Sequence, residues 1–206
     1  PDVYDAMVRQ RSELRRAAAP RVLEEILRFL RGGAAHRSVF LSWDVGVLSE
    51  IVPELASFLD DELEGASLTF GRLKAVDALA AEDRLPGDAV LLAALLLGPV
   101  DEALEGVSDV PVAYEEFARE LSLRLSLPRR LKDRIRLLIM AQRRLRTGRI
   151  QSIARREYFA DAATLFALDR MARGEDIPSW ANEPADAVYD AEPRRRRRRR
   201  RRRPRS

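Results

Sequence analysis

Apolar residues recur along the chain at three- and four-residue spacing with polar positions between them, and no stretch keeps the strict alternation of a half-buried strand. The pattern predicts an all-α protein. Val22, Leu23, Ile26, Leu27 and Leu30 form one helical stripe; Pro20 sits in its first turn, where proline is tolerated, and Gly32-Gly33 ends it. A second helix is expected from about Ala34 to Leu48, with Val39, Phe40, Trp43 and Val47 on one face, and Pro53 starts another short one. Leu73, Val76 and Leu79 place a helix over Leu68 to Ala80. Leu85, Pro86 and Gly87 then turn the chain into a buried helix from Asp88 to Leu97, with Asp88 as its cap. Gly98 and Pro99 read as its end, a loop with Gly, Ser and Pro follows, and a helix from about Ala113 to Leu125 stops before Pro128.

The most informative pattern lies between Arg129 and Thr147. Leu131, Ile135, Leu138, Gln142 and Leu145 fall on one stripe at about 100° per residue, and Arg129, Lys132, Arg136 and Arg143 fall within a sector of about 60° beside it. This spacing predicts a row of cations along one edge of a helix, continued after Gly148 by Arg149, Arg155 and Arg156. A last amphipathic helix runs from Tyr158 to Arg173 through Phe159, Ala162, Ala163, Phe166 and Met171. The organisation expected is a first unit over residues 1–33, a helical body over 34–173, an acidic linker over 174–193 and a disordered arginine-rich tail over 194–206.

Charge sharpens this picture. The net charge is only +4, yet Arg194, Arg195, Arg196, Arg197, Arg198, Arg199, Arg200, Arg201, Arg202, Arg203 and Arg205 bring eleven positive charges by themselves, so the rest of the chain is acidic on balance. Against that background residues 129–156 hold eleven basic side chains and one acid. Basic blocks of this density point to a polyanion, RNA or DNA first. An acidic protein could take the tail instead, and the helical row could pair with the chain's own acids. A polycation releases counterions from nucleic acid and binds it without sequence preference.

Composition narrows the chemistry. With no Cys and one His, the chain excludes a disulfide scaffold, a thiol nucleophile, and a Cys- or His-rich metal site. The longest apolar run, Ala89 to Val100, is too short to cross a bilayer of about 30 Å at about 1.5 Å per residue, so no membrane partner is expected. No basic-then-apolar leader follows Pro1, which suggests a cytosolic fragment whose start lies upstream. His36 has no carboxylate at a triad-like position and reads as a surface or capping residue; Asp60 and Asp61, like Glu82 and Asp83, would diverge on a helix and read as surface acids. There is neither a GxxxxGK[ST] loop nor a GxSxG elbow, so the chain itself carries no catalytic constellation.

Four ordered stretches resemble the helical half of bacterial poly(A) polymerases, within the class II tRNA nucleotidyltransferase and poly(A) polymerase family. They are Pro20 to Gly33, similar to an Arg-x-x-Glu-Glu helix ending in glycine; Leu41 to Leu55, with its glycine turn and Pro53-Glu54-Leu55; the alanine- and leucine-rich Asp88 to Leu97; and Leu127-Pro128-Arg129-Arg130-Leu131. Tyr158 to Leu168 follows the family's Phe-Arg-Ala-Ala-Tyr-Asp-Leu-Leu helix in part. Ala160, Thr164 and Asp169 stand where Arg, Asp and Arg are expected, so the pattern's contacts from those positions are not carried over. The resemblance implies that residues 1–33 end a neck and that 34–173 form an RNA-binding body. It also implies a parent enzyme that adds adenylate from ATP to RNA 3′ ends with Mg²⁺ on paired aspartates, its catalytic residues lying upstream of Pro1. The implied partner is RNA, the chain is expected to be monomeric, and the basic tail favours poly(A) addition. The alternatives are the body of a CCA-adding enzyme and a non-catalytic helical adaptor that binds nucleic acid.

Overall fold

The computed structural model describes residues 2–61 and 63–182, all helices and connections; among these residues there is no strand. The arginine run 194–205 and most of the expected linker lie outside the described residues. Ten α-helices follow in order: α1 (Asp2–Gln10), α2 (Ala19–Arg31), α3 (Ala35–Asp44), α4 (Val47–Ile51), α5 (Pro53–Asp61), α6 (Leu63–Ala81), α7 (Asp88–Ala103), α8 (Val110–Arg124), α9 (Arg129–Arg146) and α10 (Phe159–Ala172). Short 3-10 turns occupy Arg11–Arg16, Ile150–Ser152 and Ser179–Asn182.

The core is organised around α7. Every residue from Val90 to Leu97 is buried, so this helix has no solvent face along that stretch, and α2, α5, α6, α8, α9 and α10 pack around it. An apolar helix of this kind is stable only inside such a jacket. The outer helices each turn a stripe inward: Leu23, Ile26, Leu27 and Leu30 from α2, Leu73 and Val76 from α6, and Phe159, Ala162, Leu165 and Phe166 from α10.

Several sequence expectations are corrected. The expected helix from Ala34 to Leu48 is two helices, because Gly46 takes φ +75 between α3 and α4. A Cβ there would be strained and would meet the Arg11 guanidinium at 3.1 Å. The buried helix does not end at Gly98-Pro99 but runs to Ala103 with Pro99 inside it. Proline removes an N–H from a helix interior, and the local packing offsets this: Pro99 is buried, and Gly98 lets the Phe58 ring approach so closely that a Cβ would lie 2.6 Å from it. Asp88 is the first residue of α7 rather than its cap. Its carboxylate instead receives the Arg31 guanidinium at 2.6 and 2.9 Å, tying α7 to the end of α2.

The helix expected from Ala113 begins earlier, at Val110, where the Asp109 side chain accepts the Val112 N–H at 3.2 Å. Beyond α10, Trp180 sets its indole, tilted, 5.2 Å from the Phe166 ring centre and 6.2 Å from that of Phe159, so the described start of the acidic segment is packed on the body.

Candidate nucleic-acid interface

The α9 helix forms because an apolar stripe drives it onto α7 and α10. Ile135, Leu138, Gln142 and Leu145 are buried as the spacing predicts, and Leu131 is partly so. Gln142 is held by donating to the Leu138 and Ala162 carbonyls at 3.0 and 3.1 Å, which fastens α9 to α10.

The cations expected in a row beside that stripe are divided among different surroundings. Lys132 and Arg136 both reach one carboxylate, Glu115 on α8, at 3.0 and 3.1 Å, and the Arg136 guanidinium lies 6.0 Å from the Tyr114 ring centre. Burial pushes the Tyr114 phenol up, so it stays neutral beneath that cation. Arg129 sits 3.8 Å from Asp133. Arg143 faces elsewhere, into a pocket of about 520 Å³ shared with Arg72, Arg146 and Arg173 and with Asp101, Glu102 and Glu105. Two further cations missing from the row serve the fold: Arg134 pairs with Glu157 and Asp161, and Arg146 with Asp101 and Asp169.

What α9 leaves open is a second stripe. Asp133, Leu137, Met140, Ala141 and Arg144 recur at four- and three-residue spacing and, with Arg136 and Tyr158, line a shallow groove of about 390 Å³. Leu137 is 40% exposed there. Arg144 was not among the residues singled out by sequence, although its spacing from Leu137 and Met140 was readable. Among the described residues Arg130, Arg143, Arg144, Arg149 and Arg156 have no ion-pair partner, and all are exposed. Arg155 is also exposed but has an interaction of its own. A groove with an apolar floor, a tyrosine wall and one unpaired guanidinium, that of Arg144, beside the Asp133 carboxylate can hold a base and its phosphate.

A buried ion pair ties α6 to α10, and no spacing in the sequence marks it. Arg72, 2% exposed, donates Nη1 to Asp169 Oδ1 at 2.9 Å, Nε to the Ala94 carbonyl at 2.9 Å and Nη2 to Thr69 Oγ1 at 3.0 Å. Asp169 also receives Arg173 at 3.1 Å and Arg146 at 3.4 Å. Burial pulls the Arg72 pKa down against the pull of Asp169. Burial alone would raise the Asp169 pKa, but Arg72, Arg146 and Arg173 together hold its carboxyl below the usual carboxylate value. Asp169 departs from the family-like pattern, yet it is the hub of the most buried ion-pair cluster described.

Among the described residues no group of three or more His, Asp or Glu is gathered to hold a metal ion. No described helix is long and apolar enough to cross a membrane.

Residues 1–59 match the family model described as "Probable RNA and SrmB- binding site of polymerase A". The matched stretch runs from α1 into α5, and the chain therefore carries a region related to the RNA-binding part of poly(A) polymerases. No curated protein matches the chain.

Proposed function

We propose that the chain is the RNA-holding part of a poly(A) polymerase, the enzyme that adds AMP from ATP to RNA 3′ ends in mRNA processing. The observation that carries this reading is the set of exposed, unpaired arginines on and after α9, in a chain whose first 59 residues match a poly(A) polymerase RNA-binding model. Arg144, Arg149 and Arg156 contact phosphates, Arg129, Lys132, Arg136, Arg143 and Arg155 add to the field, and the Arg194 to Arg205 run supplies a second, diffuse grip. Phosphate contacts carry no sequence information, which suits a strand that must slide as its 3′ end is re-presented after each addition. Adenylate transfer, with its ATP and Mg²⁺, belongs in this reading to the catalytic head of a cytoplasmic parent enzyme.

The test is binding of oligo(A), a tRNA and a duplex DNA as a function of KCl. The expected result is an affinity for oligo(A) that falls steeply with salt and weakens when Arg144, Arg149 and Arg156 are changed together to Ala. Binding to none of the three, or binding untouched by those substitutions, contradicts it.

A further inference from the structure

Away from α9, the single histidine and three aromatic rings of an aromatic-poor chain converge on one rim formed by α3 and α6. Phe40 is 43% exposed and lies outside the buried core; its ring centre lies 5.8 Å from Trp43, 5.6 Å from Phe70 and 6.4 Å from His36. His36 meets Phe70 edge-on at 5.6 Å.

The rim is held in place from below. The Trp43 indole N–H donates to Asp60 at 2.8 Å, and Asp77 accepts the backbone N–H groups of Ala35 and His36 at 2.6 and 3.1 Å, fixing the start of α3. The neighbouring carboxylates are thereby engaged. Two cations are not: Arg37, one turn before Phe40, and Lys74, one turn after Phe70, are both exposed and have no ion-pair partner among the described residues.

We propose that His36, Phe40, Trp43 and Phe70 form a stacking platform for the unpaired bases of single-stranded RNA, with Arg37 and Lys74 on the adjacent phosphates. Every base offers a π-face, so aromatic platforms flanked by cations grip single strands without reading sequence. His36, Phe40 and Trp43 lie within the stretch that matches the RNA-binding model, and Phe70 extends the surface beyond it. The inference rests on the RNA-holding reading but names a different face and a different force, stacking rather than phosphate attraction.

Trp43 reports on its own test. The chain has two tryptophans, and Trp180→Phe leaves Trp43 as the only indole. That variant is titrated with oligo(A) and with an abasic ribose-phosphate strand of equal length, in about 0.5 M KCl where phosphate contacts are weakened. The expected result is quenching of Trp43 by oligo(A) and none by the abasic strand. Phe40→Ala lowers the affinity for oligo(A) about 5- to 30-fold, Phe40→Tyr restores it, and duplex binding is unchanged by either. Circular dichroism confirms folding of both variants, since Phe40 lies outside the core.

If oligo(A) binds while Trp43 emission stays constant and Phe40→Ala binds as tightly, the platform is overturned and RNA holding stands. Equal quenching by the abasic strand overturns stacking in favour of phosphate contact alone. Emission that changes with protein concentration and not with RNA assigns the rim to self-association and overturns it too. Failure of the unaltered chain to bind oligo(A) even at low salt overturns the RNA-holding reading and the platform with it.

Discussion

The Arg72 guanidinium donates to the Asp169 carboxylate across 2.9 Å with both side chains buried, joining the middle of α6 to the end of α10. Desolvating two charges is costly, and such a pair breaks even only when its remaining donors and acceptors are satisfied. Here they are, through Ala94, Thr69, Arg146 and Arg173. Asp169→Ala leaves Arg72 buried without its counter-charge and is expected to lower unfolding stability by about 3–5 kcal/mol, measured by urea denaturation. Combining it with Arg72→Met should recover most of that loss. A cost below about 1 kcal/mol for the single change would mean that the pair is dispensable.

The same carboxylate sets a pH dependence. Its folded pKa is depressed below the ordinary value of 3.8, so its stabilising contribution is fully present above that value and is lost as pH falls through the folded pKa. Stability should therefore decline on acidification below about pH 4, and Asp169→Asn should flatten this part of the profile while lowering stability at neutral pH. Thermal melts from pH 7 down to pH 2 check both. An unchanged acid slope in the variant would place the acid sensitivity in other groups.

Glu115 neutralises part of the cationic row. Because it engages both Lys132 and Arg136, Glu115→Gln should raise affinity for oligo(A) and steepen its salt dependence, by about 0.7 in the log–log slope for each cation newly engaged with a phosphate. No change in slope would show that these two cations serve the α8–α9 contact alone.

Gly98 is a packing requirement rather than a turn. A Cβ at this position would stand 2.6 Å from the Phe58 ring, so Gly98→Ala should destabilise the chain by about 1–3 kcal/mol, measured by urea denaturation. Coupling Gly98→Ala to Phe58→Leu should relieve part of the cost.

The helices were legible wherever an apolar stripe faced one side, as in α2 and α9, because burial of a stripe and helical period are the same signal. Where the signal was local, context overrode it. Gly98-Pro99 reads as a stop, but the buried surroundings of α7 carry the helix past it; Phe40 and Val47 read as one face until Gly46 splits them into two helices.

The site was half legible. The cations of α9 were visible by spacing, but which of them Glu115 and Asp133 engage depends on contacts, one of them from another helix, that spacing does not reveal. Asp169 was invisible for the same reason: its partners come from three places in the sequence, one of them ninety-seven residues away. The aromatic rim likewise joins α3 to Phe70 of α6 only after folding.

The central claim, that the helical body itself holds RNA, is tested most directly by the salt dependence of oligo(A) binding after deletion of residues 194–206. RNA holding by the body predicts that the truncated chain still binds oligo(A) in preference to duplex DNA, with a shallower slope than the full chain, and that changing Arg144, Arg149 and Arg156 to Ala flattens it further by about 0.7 per lost contact. Loss of all binding with the tail would contradict this, leaving the body a scaffold that does not itself hold RNA.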